Sequence, residues 1–178
     1  MKVISLEQGR ARLHTVLEEE ARLAFIARDF PRALRAARRA LRHRSGCWQA
    51  QVLHGDILCA LGRPGEALSS YHRARRLAPE IAEPYWSIST VHVMRGHWAC
   101  ALRYLELAQR RLSRGDGLLF EWIPEDRALA LLRLGRRREA LAAVRWGLER
   151  KPDGERLLEL RRRIQGPQAG PVRLRPVR

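Results

Sequence analysis

The sequence predicts an all-helical fold, a solenoid of four helix-turn-helix units closed by a C-terminal helix. Three observations carry that prediction. The first is a period: Ala-Leu pairs that begin at Ala33, Ala67, Ala101 and Ala140 sit in matching segments, spaced by 34, 34 and 39 residues. The second is a frame of small residues around each pair. Seven residues after the alanines stand Ala40, Ala74, Ala108 and Gly147, and twelve residues before them stand Ala21, Gly55, Ser89 and Ala128. The third is a turn glycine five residues before the alanine in three copies, Gly62, Gly96 and Gly135, with Arg28 in the first. Small residues at these spacings let two antiparallel helices approach closely, and Leu34, Leu68, Leu102 and Leu141 fill the seam. Glycine supplies the left-handed conformation that ends a helix. One such hairpin cannot bury its apolar face alone, so the units must stack.

Taken in order, residues 1–13 are an N-terminal extension adding a turn or two before the first repeat helix. The units follow at 14–47, 48–81, 82–115 and 121–154, with first helices over 14–27, 48–61, 82–95 and 121–134. Second helices and their turns occupy 30–45, 64–79, 98–113 and 137–152. Pro79 and Pro152 stop the second and fourth units, because proline cannot continue a helix, while Ser45 and Ser113 stand there in the others. Five extra residues fall between Arg114 and Trp122. Their apolar Leu118, Leu119 and Phe120 are expected to pack over the end of the stack. A capping helix is expected within 153–165, with Leu157, Leu158, Leu160 and Ile164 on its apolar side and Glu159 and Arg163 as a supporting i,i+4 pair. Residues 166–178, rich in Pro, Gly and Arg, read as a disordered basic tail.

This frame resembles the tetratricopeptide repeat family over residues 14–152. The second copy carries it most fully, with Gly55, Gly62, Ala67, Tyr71, Ala74 and Pro79 in register. The resemblance implies a right-handed superhelix whose concave face is lined by the first helices and whose convex back is formed by the second helices. It says little about function, because one scaffold serves many partners.

Composition narrows the classes further. The chain has 178 residues with 35 Lys and Arg against 19 Asp and Glu, a formal charge of +16, and only Lys2 and Lys151 are lysines. Such a charge favours anionic partners, or it is a solvated surface that reflects an Arg-rich genome. No apolar run has signal-peptide or membrane-spanning length, so a soluble cytoplasmic protein is expected. Cys47, Cys59 and Cys100 lack disulfide, zinc or haem spacing, and two donors at His97 and Cys100 do not make a site. Trp48, Trp98 and Trp146 read as packing residues, and His92 as a buried neutral histidine. With no phosphate loop and no nucleophile motif, neither an enzyme nor a cofactor is expected.

The charge is unevenly placed. The four first helices hold eight acidic and four basic residues, and the four second-helix segments hold four acidic and seventeen basic. In the second helices Arg35 and Arg103, Arg38 and Arg145, Arg39 and Arg73, and Arg42, Arg76 and Arg110 recur at equivalent positions, three to four residues apart on one helical stripe. They are the candidate contacts to an anionic surface.

By repeat position, the resemblance implies a recognition groove that includes Glu18, Arg22 and Phe25 from the first unit and Val52, Leu53 and Asp56 from the second. It takes Trp86, Thr90 and Val93 from the third, and Asp126 and Leu129 from the fourth. That lining is apolar with an acidic margin, and it suits an extended or helical protein segment with apolar anchors and some basic residues. It departs from members that clamp a terminal carboxylate, since Val52, Asp56 and Ser87 occupy the matching places. The expected function is therefore a non-catalytic adaptor or assembly factor. The alternative is a nucleic-acid- or ribosome-associated protein that uses the Arg-rich back and tail. Self-association through an exposed end of the stack is a third reading.

Overall fold

Each helical pair folds back at the turn that the small-residue frame marks. In a computed structural model that describes residues 6–113 and 115–166, Gly62, Gly96 and Gly135 adopt φ of 72°, 71° and 75°, and Arg28 holds the same left-handed conformation at 61°. The following amide closes each helix end on the carbonyl five residues back. Arg63 N–H donates to Leu58 O and Arg136 N–H to Leu131 O at 2.8 Å, and His97 to His92 O and Asp29 to Ala24 O at 2.9 Å.

The described residues form nine α-helices and no strand. They divide into two units, Met1–Pro79 and Glu80–Arg178. In the first unit α1 (Leu6–Ile26) pairs with α2 (Phe30–His43), and α3 (Trp48–Ala60) pairs with α4 (Pro64–Leu77), with α2 and α1 also packing on α3. In the second unit α5 (Ala82–Met94) pairs with α6 (Trp98–Gln109), and α7 (Leu119–Arg133) pairs with α8 (Arg137–Arg150). The final helix α9 (Glu155–Gln165) packs on α8 and α7. Residues 1–5 and 167–178, including all but the first residue of the expected basic tail, lie outside the described residues.

The frame residues form the seams. Ala21, Ala33, Ala40, Ala67, Ala74, Ser89, Ala101, Ala108, Ala128 and Ala140 are all fully buried. The two frame glycines are required by close approach. A Cβ on Gly55 would lie 2.3 Å from the Tyr71 ring, and one on Gly147 would lie 2.7 Å from both the Pro124 ring and Leu157. Around the seams Ile57 and Leu58 fill the first unit, while Ile88, Val91, Leu105, Ile123, Leu131 and Val144 fill the second. Each such side chain contributes about 1.5–3 kcal/mol by leaving water.

Three elements depart from the simplest repeat. Helix α1 begins at Leu6, so residues 6–13 continue the first repeat helix without a break. Helix α7 starts at Leu119 and keeps Pro124 inside it. That proline costs the Phe120 carbonyl its usual i+4 amide, and its buried ring fills the space left open at Gly147. In the connection before α7 the apolar residues part company: Leu119 enters the core of the second unit, while Leu118 stays 54% exposed.

The last helix docks through Leu157, Leu160 and Ile164, and Arg137 donates to the Ile164 carbonyl. Beneath it Glu121, only 6% exposed, accepts from Lys151 Nζ at 2.8 Å and from the Arg156 amide at 3.2 Å. No helix among the described residues is long and apolar enough to cross a membrane.

Candidate partner-binding surfaces

In the first unit, α1 carries Glu18, Arg22 and Phe25 one turn apart, the spacing that puts them on one face. Glu18 is engaged twice, by Arg22 at 3.2 Å and by His14 Nε2 at 3.3 Å. Phe25 is half-buried, with its ring tilted against Phe30 at 5.8 Å. On α3, Val52, read as groove-lining from its repeat position, is 4% exposed and belongs to the core. The apolar surface of that turn is left to the half-buried Leu53. Asp56 accepts a 2.7 Å hydrogen bond from Tyr71 Oη. Burial and the Asp56 charge push the Tyr71 hydroxyl far above its ordinary range, so it stays a neutral donor that holds the carboxylate in place.

In the second unit, α5 and α7 bring Trp86 and Asp126 together although forty positions separate them. The indole Nε1 donates to Asp126 Oδ2 at 2.8 Å. The Trp86 ring stacks on Trp122 at 5.2 Å with an interplanar angle of 26°. Trp122 was not among the residues read from the sequence. It lies on α7 one turn before Asp126, eighteen residues before Ala140, the repeat position that Gln49 and Glu83 hold in the second and third units. Thr90 Oγ1 donates back to the Trp86 carbonyl at 3.1 Å, and Val93 and Leu129 are half-buried.

The acids of this face are perturbed. Burial pushes the Asp126 carboxyl up to about 6, against the opposing pull of the Trp86 N–H and Arg156. Burial likewise raises Glu125 to about 7, with Asp126 and Glu121 adding to the rise, although Arg156 pairs with it at 2.7 Å. A half-buried carboxylate of this kind favours a cation brought next to it.

The arginines of the second helices are on the surface. Arg35, Arg38, Arg39, Arg42, Arg73 and Arg76 in the first unit, and Arg103 and Arg110 in the second, are all exposed. The fold also gathers one group that sequence spacing does not display. His14, Glu18 and Cys47 bring donor atoms within 4.8 Å of one another. Those donors already have neighbours, with His14 Nδ1 3.1 Å from the Ala40 carbonyl and Cys47 donating to Gln49 Oε1 at 3.3 Å. His92 is half-buried rather than sealed in the core, stacked on Tyr104 at 5.5 Å, and burial together with His97 and Arg95 lowers its pKa.

Antiparallel helix pairs that recur on one small-residue frame define a helical-repeat scaffold. Residues 18–82 match the family described as the tetratricopeptide repeat, and the chain shares the fold of solved tetratricopeptide-repeat structures. Among solved structures it is similar to TTC0263, a thermophilic protein of this class from Thermus thermophilus. That match has 21% identity, a TM-score of 0.70, and coverage of 83% of this chain and 79% of that one. It is also similar to the TPR2B domain of yeast Sti1, solved in complex with pHsp70, at 17% identity and a TM-score of 0.64 over 68% and 98% of the two chains. YrrB, described as having an unusual peptide-binding site, matches at 22% identity and a TM-score of 0.61 over 84% of each chain. No curated protein sequence matches the chain. At these identities the likeness establishes the fold.

Proposed function

We propose that the chain is a non-catalytic cytoplasmic adaptor or assembly factor that captures a segment of a partner protein on the first helices of its repeats. The observation that carries this reading is the Trp86–Trp122–Asp126 cluster. Two stacked indoles, both partly exposed, stand beside a carboxylate held in a poorly hydrated setting. Stacked aromatics offer large apolar area at low conformational cost, and the acids reward a Lys or Arg in the arriving segment. The proposed contacts are Trp86, Thr90, Val93, Asp126 and Leu129 in the second unit, and Arg22, Phe25 and Leu53 in the first. Glu18 and Asp56, already bonded within the chain, act as a fixed negative margin. Val52 is left out because it is buried.

The similar structures described with a bound pHsp70 or a peptide-binding site support a segment as the ligand. A terminal carboxylate is disfavoured here, since Asp56 stands where carboxylate-clamping members need a cation or an amide.

The test is affinity capture from native extract with wild type and Trp86→Ala, read by mass spectrometry. The expected outcome is loss of the captured protein by tenfold or more, in line with roughly 2 kcal/mol for a central aromatic anchor, with helical circular dichroism retained. Unchanged capture refutes the site.

A further inference from the structure

The first unit contains a second recess, away from the residues proposed above. It is a cavity of about 320 Å³ lined by Arg38, Leu41 and Arg42 of α2, Gln51 and His54 of α3, and Ser69, Ser70 and Arg73 of α4. Three arginines line it. Among the described residues, none of the three has a carboxylate within ion-pair distance. The chain does pair arginine where a partner is at hand, as in the bidentate Arg63–Glu66 contact at 2.7 Å. Like charges gathered with Glu66 as a nearby counter-charge beyond ion-pair distance are stabilised when an anion arrives, and arginine is the side chain best suited to hold phosphate oxygens.

The floor of the recess supplies a neutral donor. His54 Nδ1 lies 2.8 Å from Ser70 Oγ, and the other ring nitrogen, Nε2, is buried with no hydrogen-bond partner. Burial and the nearby Arg38 lower the His54 pKa; Glu66 opposes them and Arg63 adds to them, so the ring is neutral near pH 7. A neutral ring carries one proton. Placing it on Nε2 would orphan a buried donor, whereas placing it on Nδ1 leaves only an orphaned lone pair and satisfies the N–H with Ser70 Oγ. With its oxygen occupied as an acceptor, the Ser70 hydroxyl proton is free to donate elsewhere. The recess therefore offers three cations and a serine O–H, and phosphate, which has acceptors only, is the complementary group.

We infer that this recess binds a backbone phosphate of a nucleic-acid strand. A strand is favoured over a free phosphate by what surrounds the recess. Arg35 and Arg39 on α2 and Arg76 on α4 are exposed along the same two helices and continue the positive surface beyond it. At about 30 Å³ per water the recess holds some ten waters, which is ample for one phosphate with its hydration. This inference is independent of the partner-segment reading and survives its failure.

The test is fluorescence anisotropy of a labelled oligo(dT) of about fifteen nucleotides across a salt series. Three proteins are compared: wild type, the triple variant Arg38→Gln/Arg42→Gln/Arg73→Gln, and a charge-matched triple in the second unit, Arg138→Gln/Arg145→Gln/Arg162→Gln. At about 0.7 per neutralised phosphate for single strands, loss of the one phosphate held in the recess flattens the salt slope by about 0.7. The recess variant is expected to lose at least tenfold in affinity at about 0.1 M salt, and the matched variant less than about threefold. Equal losses in the two triples overturn the inference and leave only net charge. A second readout needs no variant: the His54 ring resonances of wild type should shift on titration with the oligonucleotide. Unmoved His54 resonances overturn the siting. A shift by inorganic phosphate at lower concentration than by the oligonucleotide overturns the strand and leaves a small phosphate as the ligand.

Discussion

In the first unit Arg35, Arg38, Arg39, Arg42 and Arg73 stand exposed on α2 and α4, with no acid within ion-pair distance among the described residues, while in the second unit many arginines are put to internal use. Arg127 pairs with Glu106 at 3.7 Å and Arg156 with Glu125 at 2.7 Å. Arg111, Arg133 and Arg150 lie over the rings of Tyr85, Trp98 and Trp146, at 4.1, 5.4 and 3.9 Å from the centroids. The acids differ too. Exposed Glu66 in the first unit is held below its ordinary range by its Arg63 hydrogen bond, whereas Glu125 and Asp126 in the second are raised by burial. One repeat frame thus supports two surfaces of different chemistry. The frame positions are consumed by packing, so recognition has to be written in what remains.

The comparison is tested hardest at the frame itself. Gly55 and Gly147 are equivalent seams with different neighbours: a tyrosine ring pinned by its bond to Asp56 in one, and a proline ring with a leucine terminus in the other. Gly55→Ala is expected to destabilise by about 1–3 kcal/mol despite the helix-propensity gain. Gly147→Ala is expected to cost less, because its Cβ would approach the Pro124 ring and a leucine terminus at 2.7 Å, against 2.3 Å from the Tyr71 ring at Gly55. Urea denaturation of the two variants measures this. A larger loss at Gly147 would mean that the proline, not the tyrosine, is the stiffer wall. Combining Gly55→Ala with Tyr71→Leu should cost less than the sum of the two, since the single obstacle is shared.

Next in size is the pH response of the second unit. Glu125 keeps its proton in the folded chain up to about pH 7 but releases it near its ordinary value when unfolded. Between those values the folded state binds more protons, so stability from this group falls as pH rises through the window. The groups facing it are Arg156, which opposes the effect, and Asp126 and Glu121, which reinforce it. Wild type should lose on the order of 2 kcal/mol relative to Glu125→Gln between about pH 4.5 and 7.5. Parallel stability curves for the two proteins would remove the contrast between the acids of the two units.

How far these features were legible in the sequence follows from their range. Ala33, Ala67, Ala101 and Ala140, with their companion small residues, repeat at fixed spacing because every hairpin must close to the same distance, and the fold could be read from them. The Trp86–Asp126 pair was half legible, since repeat position put both residues on inner faces but not in contact. Trp122 was missed although it holds the repeat position of Gln49 and Glu83, because neither of those is aromatic and no spacing pairs it with Trp86. Buried Glu121 was not singled out in the sequence, since its partners Lys151 and Arg156 lie beyond the helix that contains it. The His54–Ser70 floor was invisible for a related reason: its members come from two helices and repeat nowhere else. Val52 shows the opposite failure, in which repeat position was right and the side chain turned inward.

The smallest effect sharpens the comparison at the turns. Gly62, Gly96 and Gly135 take the left-handed conformation at no steric cost, while Arg28 holds it against a Cβ clash worth about 1–2 kcal/mol. The first turn compensates locally. Asp29 caps α2 by accepting the Arg32 amide at 3.1 Å, and the Arg28 guanidinium lies 6.0 Å from the Phe30 ring centroid. Arg28→Gly removes the strain together with that weak cation–π contact and frees the unfolded chain, so the net gain should be under about 1 kcal/mol. Thermal unfolding should rise by a few degrees at most, and Arg28→Ala, which keeps the Cβ, should not rise at all. If the glycine variant is instead less stable, the arginine contributes more through Phe30 than its backbone costs, and the first turn is a built feature rather than a tolerated departure from the repeat.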